Sequence, residues 1–417
     1  MQDFVHLHVH TYYSILDGQS SIQKLVDKAV ADGMRGMAIT DHGDMFGIKE
    51  FWDYCAGVNS KRKKEGLEPF KPILGCEMYV AHHNKEDRAG KEDRSGYHLI
   101  VLAKNYLGYK NLIKLVSNSW TDGFYMRPRT DRADLERHHE GLIVCSACIA
   151  GEVPSKVLKG DIEGAREAVQ WYKRVFGDDY YLELQRHEVK DPSIRANRET
   201  YPLQQRANSV LMQLAREYGV KIVCTNDAHF VDQENAEAHD HLLCLSTGKD
   251  LDDPTRMLYS KQEWFKTRAE MNEVFGDLPE AMANTLEVLD KVELYSIEHS
   301  PIMPFFPIPE SFGTEEQWRA KFTEEQLFAE FTSDENGQNP LPREEGEKKI
   351  EKLGGYDKLY RIKFEADYLA KLAYEGARKL YGDPLTDEVE ERVRFELHIM
   401  KTMGFPGYFL IVQDFIN

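Results

Sequence analysis

Between residues 1 and 235, about seven short β-rich runs alternate with amphipathic stretches, and this alternation limits the fold more than any other feature of the chain. The runs are "DFVHLHV", "RGMAIT", "KPILGCEMYV", "YHLIVLA", "GLIVCSA", "YYLELQ" and "VKIVCT". Between most of them lie helix-period segments such as "SSIQKLVDKAVADG", which has a serine start, a stripe of Ile22, Leu25, Val26 and Ala29, and a Gly33 stop. Strand, helix, strand predicts an α/β domain with a mainly parallel sheet. Seven or eight such units usually close into a barrel, although an open doubly wound sheet has the same pattern.

From about residue 262 the texture changes to helices joined by proline-, glycine- and charge-rich linkers. "SPIMPFFPIPESFG" at 300–313 reads as an extended connector and "DENGQNPLPREEGEKK" at 334–349 as a mobile, turn-rich stretch. Lys358 to Leu380 and Thr386 to Met403 read as helices. The apolar "GFPGYFLIVQDFIN" has no polar cap, which leads to the expectation that the chain is the front part of a longer protein. The division expected is 1–262, 263–355 and 356–417.

Six scattered cysteines suit a reducing cytoplasm better than a disulfide framework, and no apolar run approaches the length of a membrane span. A formal charge of −18 argues against a surface that grips nucleic acid broadly. The basic run "SKRKKEG" at 60–66 reads as a solvated helix end. No basic, aromatic-studded groove is legible, so affinity for DNA is expected to be modest.

The chemistry lies at the strand ends. His8, His10 and Asp17 follow the first run, and "TDHGD" follows the second with Asp41, His42 and Asp44. Glu77 sits on the third and His98 on the fourth, while Cys148, then Glu183 and His187, then Asp227 and His229 follow the last three. In a parallel barrel such ends converge on one face. His, Asp, Glu and Cys are the side chains that bind transition metals. A single strand histidine is more often structural than not, and the "HxH" pair could be either. A buried carboxylate at Glu77 needs positive compensation. The joint placement at nearly every strand end points to a polynuclear metal site.

The motifs "HLHVHTYYSILDG", "AITDHGDMFG", "ILGCEMYV", "YHLIVLAKN", "CSACIAGEVP", "YLELQRH" and "CTNDAHF", in this order, closely resemble the PHP (polymerase and histidinol phosphatase) domain of bacterial DNA polymerase III alpha subunits. "LLCLSTGKDLDDPTRMLYSKQEWFKTRAEMNEVF" and "HIMKTMGFPGYFLIVQDFIN" continue the resemblance, which is poorest from about 310 to 355. It implies a distorted (β/α)7 barrel followed by a mainly helical extension leading towards a polymerase palm. It also implies nine metal ligands, His8, His10, Asp17, His42, Glu77, His98, Cys148, Asp227 and His229. Asp41 and His6 would then support the ligands from behind, and Cys145 would pack in the core. Three divalent ions suit that set, with zinc or iron favoured by the thiolate and manganese admitted by the oxygens.

Phosphoester hydrolysis is the reaction such a site could run. Arg127 and Arg129 in "FYMRPRTD" are candidate phosphate contacts and His187 a candidate proton donor, each with a structural alternative. The leading reading is the N-terminal region of a replicative polymerase with a possible 3′–5′ proofreading exonuclease site. No pair of palm carboxylates appears, so polymerase activity is not expected of these residues. The second reading is a catalytically silent, metal-stiffened scaffold that supports the polymerase core and docks a separate proofreading subunit. A stand-alone small-molecule phosphatase comes third. Expected partners are the remainder of the alpha chain, DNA through the whole protein, and other replisome subunits, with no membrane.

Overall fold

The computed structural model describes residues 1–189, 195, 199–299 and 304–416. The chain divides into two compact units, Met1–Glu298 and His299–Asn417.

The first unit is an α/β barrel built on a curled seven-stranded sheet. Its strands are β1 (Gly36–Ile39), β2 (Lys71–Val80), β3 (Tyr97–Ala103), β4 (Arg129–Thr130), β5 (Leu142–Cys145), β6 (Tyr180–Gln185) and β7 (Lys221–Thr225). The order is β1-β2-β3-β5-β6-β7, with β4 beside the end of β2. The β1–β2, β5–β6 and β6–β7 pairs are parallel, whereas β3 runs antiparallel to both neighbours. The reversal has a local cause. A parallel return needs a crossover of a dozen or more residues, usually helical. The link from Val80 to Tyr97 offers only one short 3-10 turn, Glu92–Arg94. The strand therefore turns back, and His98 reaches the open face of the barrel at the start of β3 instead of its end.

The first predicted strand is a correction. Residues 4 to 10 are extended and buried, but they form only an isolated parallel bridge, Val9 to Ala228. On one side the segment accepts from Ala38 N to His6 O and from Thr40 N to Val9 O, each at 2.8 Å. On the other, His10 N donates to Ala228 O at 2.7 Å. It thus joins the region of β1 to the turn after β7, which closes the sheet.

Helices cover the outside and bury the stripes expected of them. Ile22–Ala31 buries Ile22, Leu25, Val26 and Ala29. Ile162–Phe176, capped by the Asp161 side chain accepting from Gly164 N, buries Ala165, Ala168, Val169, Tyr172 and Phe176. The hydrophobic core continues past residue 262, because Met271, Phe275, Ala281, Met282, Val288 and Leu289 pack into the barrel's own core. The first unit therefore extends beyond the boundary expected there.

The second unit is helical. It gathers Leu327, Phe328, Phe331, Ile350, Leu359 and Ile362 into a small core of its own. Helices Gly355–Tyr381 and Asp387–Thr402 fall where the periodicity places them, and the apolar Pro406–Ile416 is helical. Part of the stretch expected to be mobile is instead the helix Arg343–Lys352, which buries Ile350. Residues 300–303 of the expected connector lie outside the described residues, and 304–309 have no regular structure. Among the described residues, no helix is long and apolar enough to cross a membrane.

Candidate metal centre

His8 and His10 project from the same side of the closing segment, as alternation in an extended chain requires. Their Nε2 atoms lie 3.1 Å apart. Asp227 Oδ1 lies 3.0 Å from His8 Nε2 and 3.3 Å from His10 Nε2, and Glu77 places Oε1 3.3 Å from the first and Oε2 3.6 Å from the second. Glu77 also receives His98 Nδ1 at 2.8 Å, and Cys148 Sγ lies 3.7 Å from that same nitrogen. Asp17 Oδ2 is 3.1 Å from His42 Nε2, and Asp17 Oδ1 is 3.9 Å from His229 Nε2. All nine ligand-type residues thus share one mouth.

Three triads have donor atoms within 4.8 Å of one another: His10 with His42 and His229, His8 with His10 and Asp227, and Glu77 with His98 and Cys148. Ligands on one tetrahedral ion, with bonds of about 2.1 Å, sit about 3.4 Å apart, so each triad is spaced closely enough that it could share one cation.

The imidazoles are held from behind. His8 Nδ1 donates to Glu183 Oε1 at 2.7 Å, His10 Nδ1 to Ser14 Oγ at 2.9 Å, and His229 Nδ1 to the Asp227 carbonyl at 2.8 Å. In each case the outer nitrogen is the donor, which leaves Nε2 facing the centre as the atom that would bind a metal. Ser14 in turn donates to Asp41, whose carboxylate also accepts from Thr11 N and Thr11 Oγ1. Asp41 therefore stands one hydroxyl behind His10. Gly18 lets this loop close, since a Cβ there would meet the Thr11 carbonyl oxygen at 2.0 Å. Asp227 adopts a left-handed φ of 49°, a conformation Asp tolerates better than most residues and one that recurs where a site over-determines the backbone.

Electrostatics tests the fit to a cation. Burial pulls His8 down, but Asp227, Glu183 and Glu77 outweigh it and raise it well above the usual imidazole range. Burial, helped by His42 and His229, pushes His10 down to about 3. Burial would raise Glu77 and Asp227, yet the surrounding histidines hold both carboxyls well below their ordinary values. Asp17 Oδ1, Glu77 Oε2 and Asp227 Oδ1 are buried without a hydrogen bond. Even His42 Nδ1, 2.5 Å from Glu77 Oε2, is not aligned as its donor. Buried carboxylate oxygens without donors are costly, and a divalent ion between them and the imidazoles is what this donor set fits.

Three expectations need correcting. Arg129 is fully buried and spends its guanidinium on the carbonyls of Gly123, Lys85 and Asp87 at 3.1, 2.6 and 2.9 Å, so it pins loops and does not face a phosphate. His187 is also consumed, with Nε2 donating to Asn226 O at 3.0 Å and Nδ1 accepting from Gln204 Nε2 at 3.1 Å. It braces the turn before Asp227 and has no proton to give. His6 donates to Lys266 O and packs against Phe4 and Phe265, away from the ligands. Arg127 is exposed, with its guanidinium 5.7 Å from the centre of the Tyr79 ring.

Two residues at the centre escape a reading of strand ends. His239, buried on the helix Ala236–Thr247, brings an unpartnered Nε2 to 3.9 Å from Asp17 Oδ1. Tyr259 places its hydroxyl 3.4 Å from Asp17 Oδ2 and 3.2 Å from His229 Nε2. The available signal for the first was a histidine on the apolar side of "AEAHDHLLCL".

Residues 6–187 match the PHP domain family, and residues 367–417 match the bacterial DNA polymerase III alpha NTPase domain. Along 420 residues the chain is 38% identical to the DNA polymerase III subunit alpha of Borreliella burgdorferi, covering 99% of this chain and 30% of that one. This chain belongs to the bacterial DNA polymerase III alpha family. The corresponding subunit of Campylobacter jejuni is 35% identical over 429 residues, with 100% of this chain and 31% of the relative covered. The chain thus spans under a third of the length of these DNA polymerase III alpha relatives. A histidinol phosphate phosphatase of Lactococcus lactis, solved with zinc, L-histidinol and phosphate, aligns at 14% identity. That alignment covers 60% of this chain and 95% of the phosphatase at a TM-score of 0.30, a likeness too slight to bear on chemistry. Within this polymerase III alpha chain the PHP match ends at residue 187, whereas Asp227, His229, His239 and Tyr259 all come later, so the centre is completed by residues beyond it.

Proposed function

We propose that this part of the DNA polymerase III alpha chain binds divalent cations through the nine residues above, in a trinuclear arrangement of zinc, manganese or iron, and hydrolyses phosphoesters there. The intended substrate is the 3′ end of a DNA strand, which makes the site a proofreading 3′–5′ exonuclease in a cytoplasmic replicative polymerase. The observation that carries the reading is the set of three donor triads, in which buried Glu77 Oε2 and Asp227 Oδ1 make no hydrogen bond and His8, His10 and His229 are held from behind with Nε2 facing the centre. Divalent ions bound there would lower the pKa of an attacking water and neutralise charge on the phosphoryl oxygens. The chain's own residues do the rest. Glu183, Ser14 and the Asp227 carbonyl fix the imidazole tautomers, Glu77 and Asp227 bridge between ligand groups, and exposed Arg127 can reach a phosphate approaching from solvent.

The second reading, a silent scaffold that stiffens the polymerase core and docks a separate proofreading subunit, is favoured by how many elements the cluster ties together. The closing segment, β2, β3 and the turns after β1, β5 and β7 all contribute. The experiment that separates them is hydrolysis of a chromogenic phosphodiester and of a single-stranded oligonucleotide, with manganese or zinc. Turnover abolished by Asp227→Ala and by His10→Ala supports the enzyme. Metal-loaded protein without such turnover leaves the scaffold.

A further inference from the structure

The metal centre is not equally closed on all sides. The side chains of His8, His10 and Glu77 are buried, while Asp17, His42 and His98 remain 22, 15 and 20% exposed, so the centre opens to solvent past these three. Exposed apolar groups border that opening. Leu16, in a left-handed conformation at φ 61°, precedes Asp17. Trp120 donates its indole N–H to the carbonyl of Gly43, the residue after His42, at 2.8 Å. Tyr79, itself buried, meets His98 edge-on at 5.1 Å and carries the exposed Arg127 on its face.

Trp120 also begins a ladder. Phe124 stacks on it with ring centres 5.4 Å apart and planes 16° apart, and Phe46 lies on its other neighbour position at 6.4 Å. Phe46, Trp120 and Phe124 are 58, 43 and 45% exposed, and Trp120 is the exposed one of the five tryptophans. Isolated exposed aromatics need no explanation, but three in contact at the lip of a phosphoester-competent centre do.

We propose that Phe46, Trp120 and Phe124 form a stacking platform for the bases of a single strand whose terminal phosphodiester lies at the metal centre, with Arg127 meeting a backbone phosphate between the two. The proposal rests on the phosphoesterase reading and adds the subsite that selects a nucleic-acid end over a small phosphoester. Chemistry favours a strand over a docked protein. The guanidinium of Arg127 makes no ion pair among the described residues and lies over Tyr79, whose ring meets His98 at the opening. The chain's net charge of −18 leaves little general attraction for phosphate, so a strand must gain its affinity from its bases. Aromatic faces provide that without regard to base identity. Phe46 lies about 75 residues before Trp120 and Phe124, which is why no aromatic-studded run announces the platform.

The test measures binding of a fluorescent, phosphorothioate-linked oligo(dT) to the full chain by anisotropy, beside an abasic strand of equal length and charge. Oligo(dT) is expected to bind more tightly than the abasic strand. Trp120→Ala and Phe124→Ala are each expected to weaken oligo(dT) binding about tenfold and to narrow the difference. Both variants should keep the wild-type melting temperature, metal content and turnover of bis-p-nitrophenyl phosphate. Equal binding of the two strands, or unchanged binding by Trp120→Ala, overturns the platform. So does failure of either strand to bind while the patch is instead buried in self-association, which would make it a protein surface. Failure of the wild-type chain to cleave the small phosphodiester sinks the phosphoesterase reading alone, because strand binding is read without hydrolysis.

Discussion

Arg129→Ala should destabilise the first unit without touching its chemistry directly. The guanidinium is fully buried, donates to three backbone carbonyls in two loops and lies 5.8 Å from the Tyr125 ring centre. Hydrogen bonds from a charged donor contribute about 1.5–3 kcal/mol each. The Asp87 carbonyl is only part-buried and can be rehydrated once freed, so the net loss is about 3–4 kcal/mol. With an unfolding entropy of about 2.1 cal/mol/K per residue, a unit of this size loses about 1 °C for each 0.6 kcal/mol, so its melting midpoint should fall by about 5–6 °C. Arg127→Ala removes only an exposed contact with Tyr79 and should stay within about 0.5 kcal/mol of wild type. Calorimetric melts of the two variants beside phosphodiester turnover decide the matter. If Arg129→Ala melts with the wild type but loses turnover, the arginine contacts phosphate after all and its buried placement is wrong.

Other perturbations read different layers of the same account. Glu183→Gln deprives His8 Nδ1 of its acceptor carboxylate and should weaken metal affinity about 10- to 100-fold, measured by competition with a chromogenic chelator. His239→Ala should cost about tenfold in that assay while leaving the melt of metal-free protein unchanged; equal loss in both would make His239 a packing residue only. Burial drives His6 from the usual 6.5 down to about 3. The unfolded chain therefore takes up this proton near pH 6.5 and the folded chain only near 3. Its contribution is full above about pH 6.5 and fades at about 1.4 kcal/mol per unit as the pH falls towards 3. His6→Gln should flatten that part of the acid limb in urea melts at pH 7, 6 and 5, and a variant whose stability falls in parallel with wild type would contradict it.

The strand pattern was legible because buried strands of this kind carry unbroken apolar runs. "KPILGCEMYV" and "YHLIVLA" correspond to β2 and β3. Direction was not legible from the runs alone: a mainly parallel sheet was expected, and the antiparallel β3 follows from a Val80–Tyr97 link that has only one short 3-10 turn. "DFVHLHV" has the composition of a strand but makes its hydrogen bonds singly to two different neighbours, which no periodicity reveals. Ligand type and strand-end position brought all nine candidates to one place. Position could not tell a free side chain from a committed one, and His187 and Arg129 are committed through Gln204, Asn226 and carbonyls brought in from elsewhere in the chain. His239 was hidden for the opposite reason: a histidine on the apolar face of a helix looks like packing until Asp17 is seen opposite it.

Bound metal is the requirement common to all the chemistry proposed for this centre. Elemental analysis of the chain purified without chelator, then dialysed against zinc or manganese, should find about two to three ions per chain, reduced in Asp227→Ala, whose carboxylate lies against both His8 and His10. Protein that folds normally and retains no divalent ion under those conditions would contradict it.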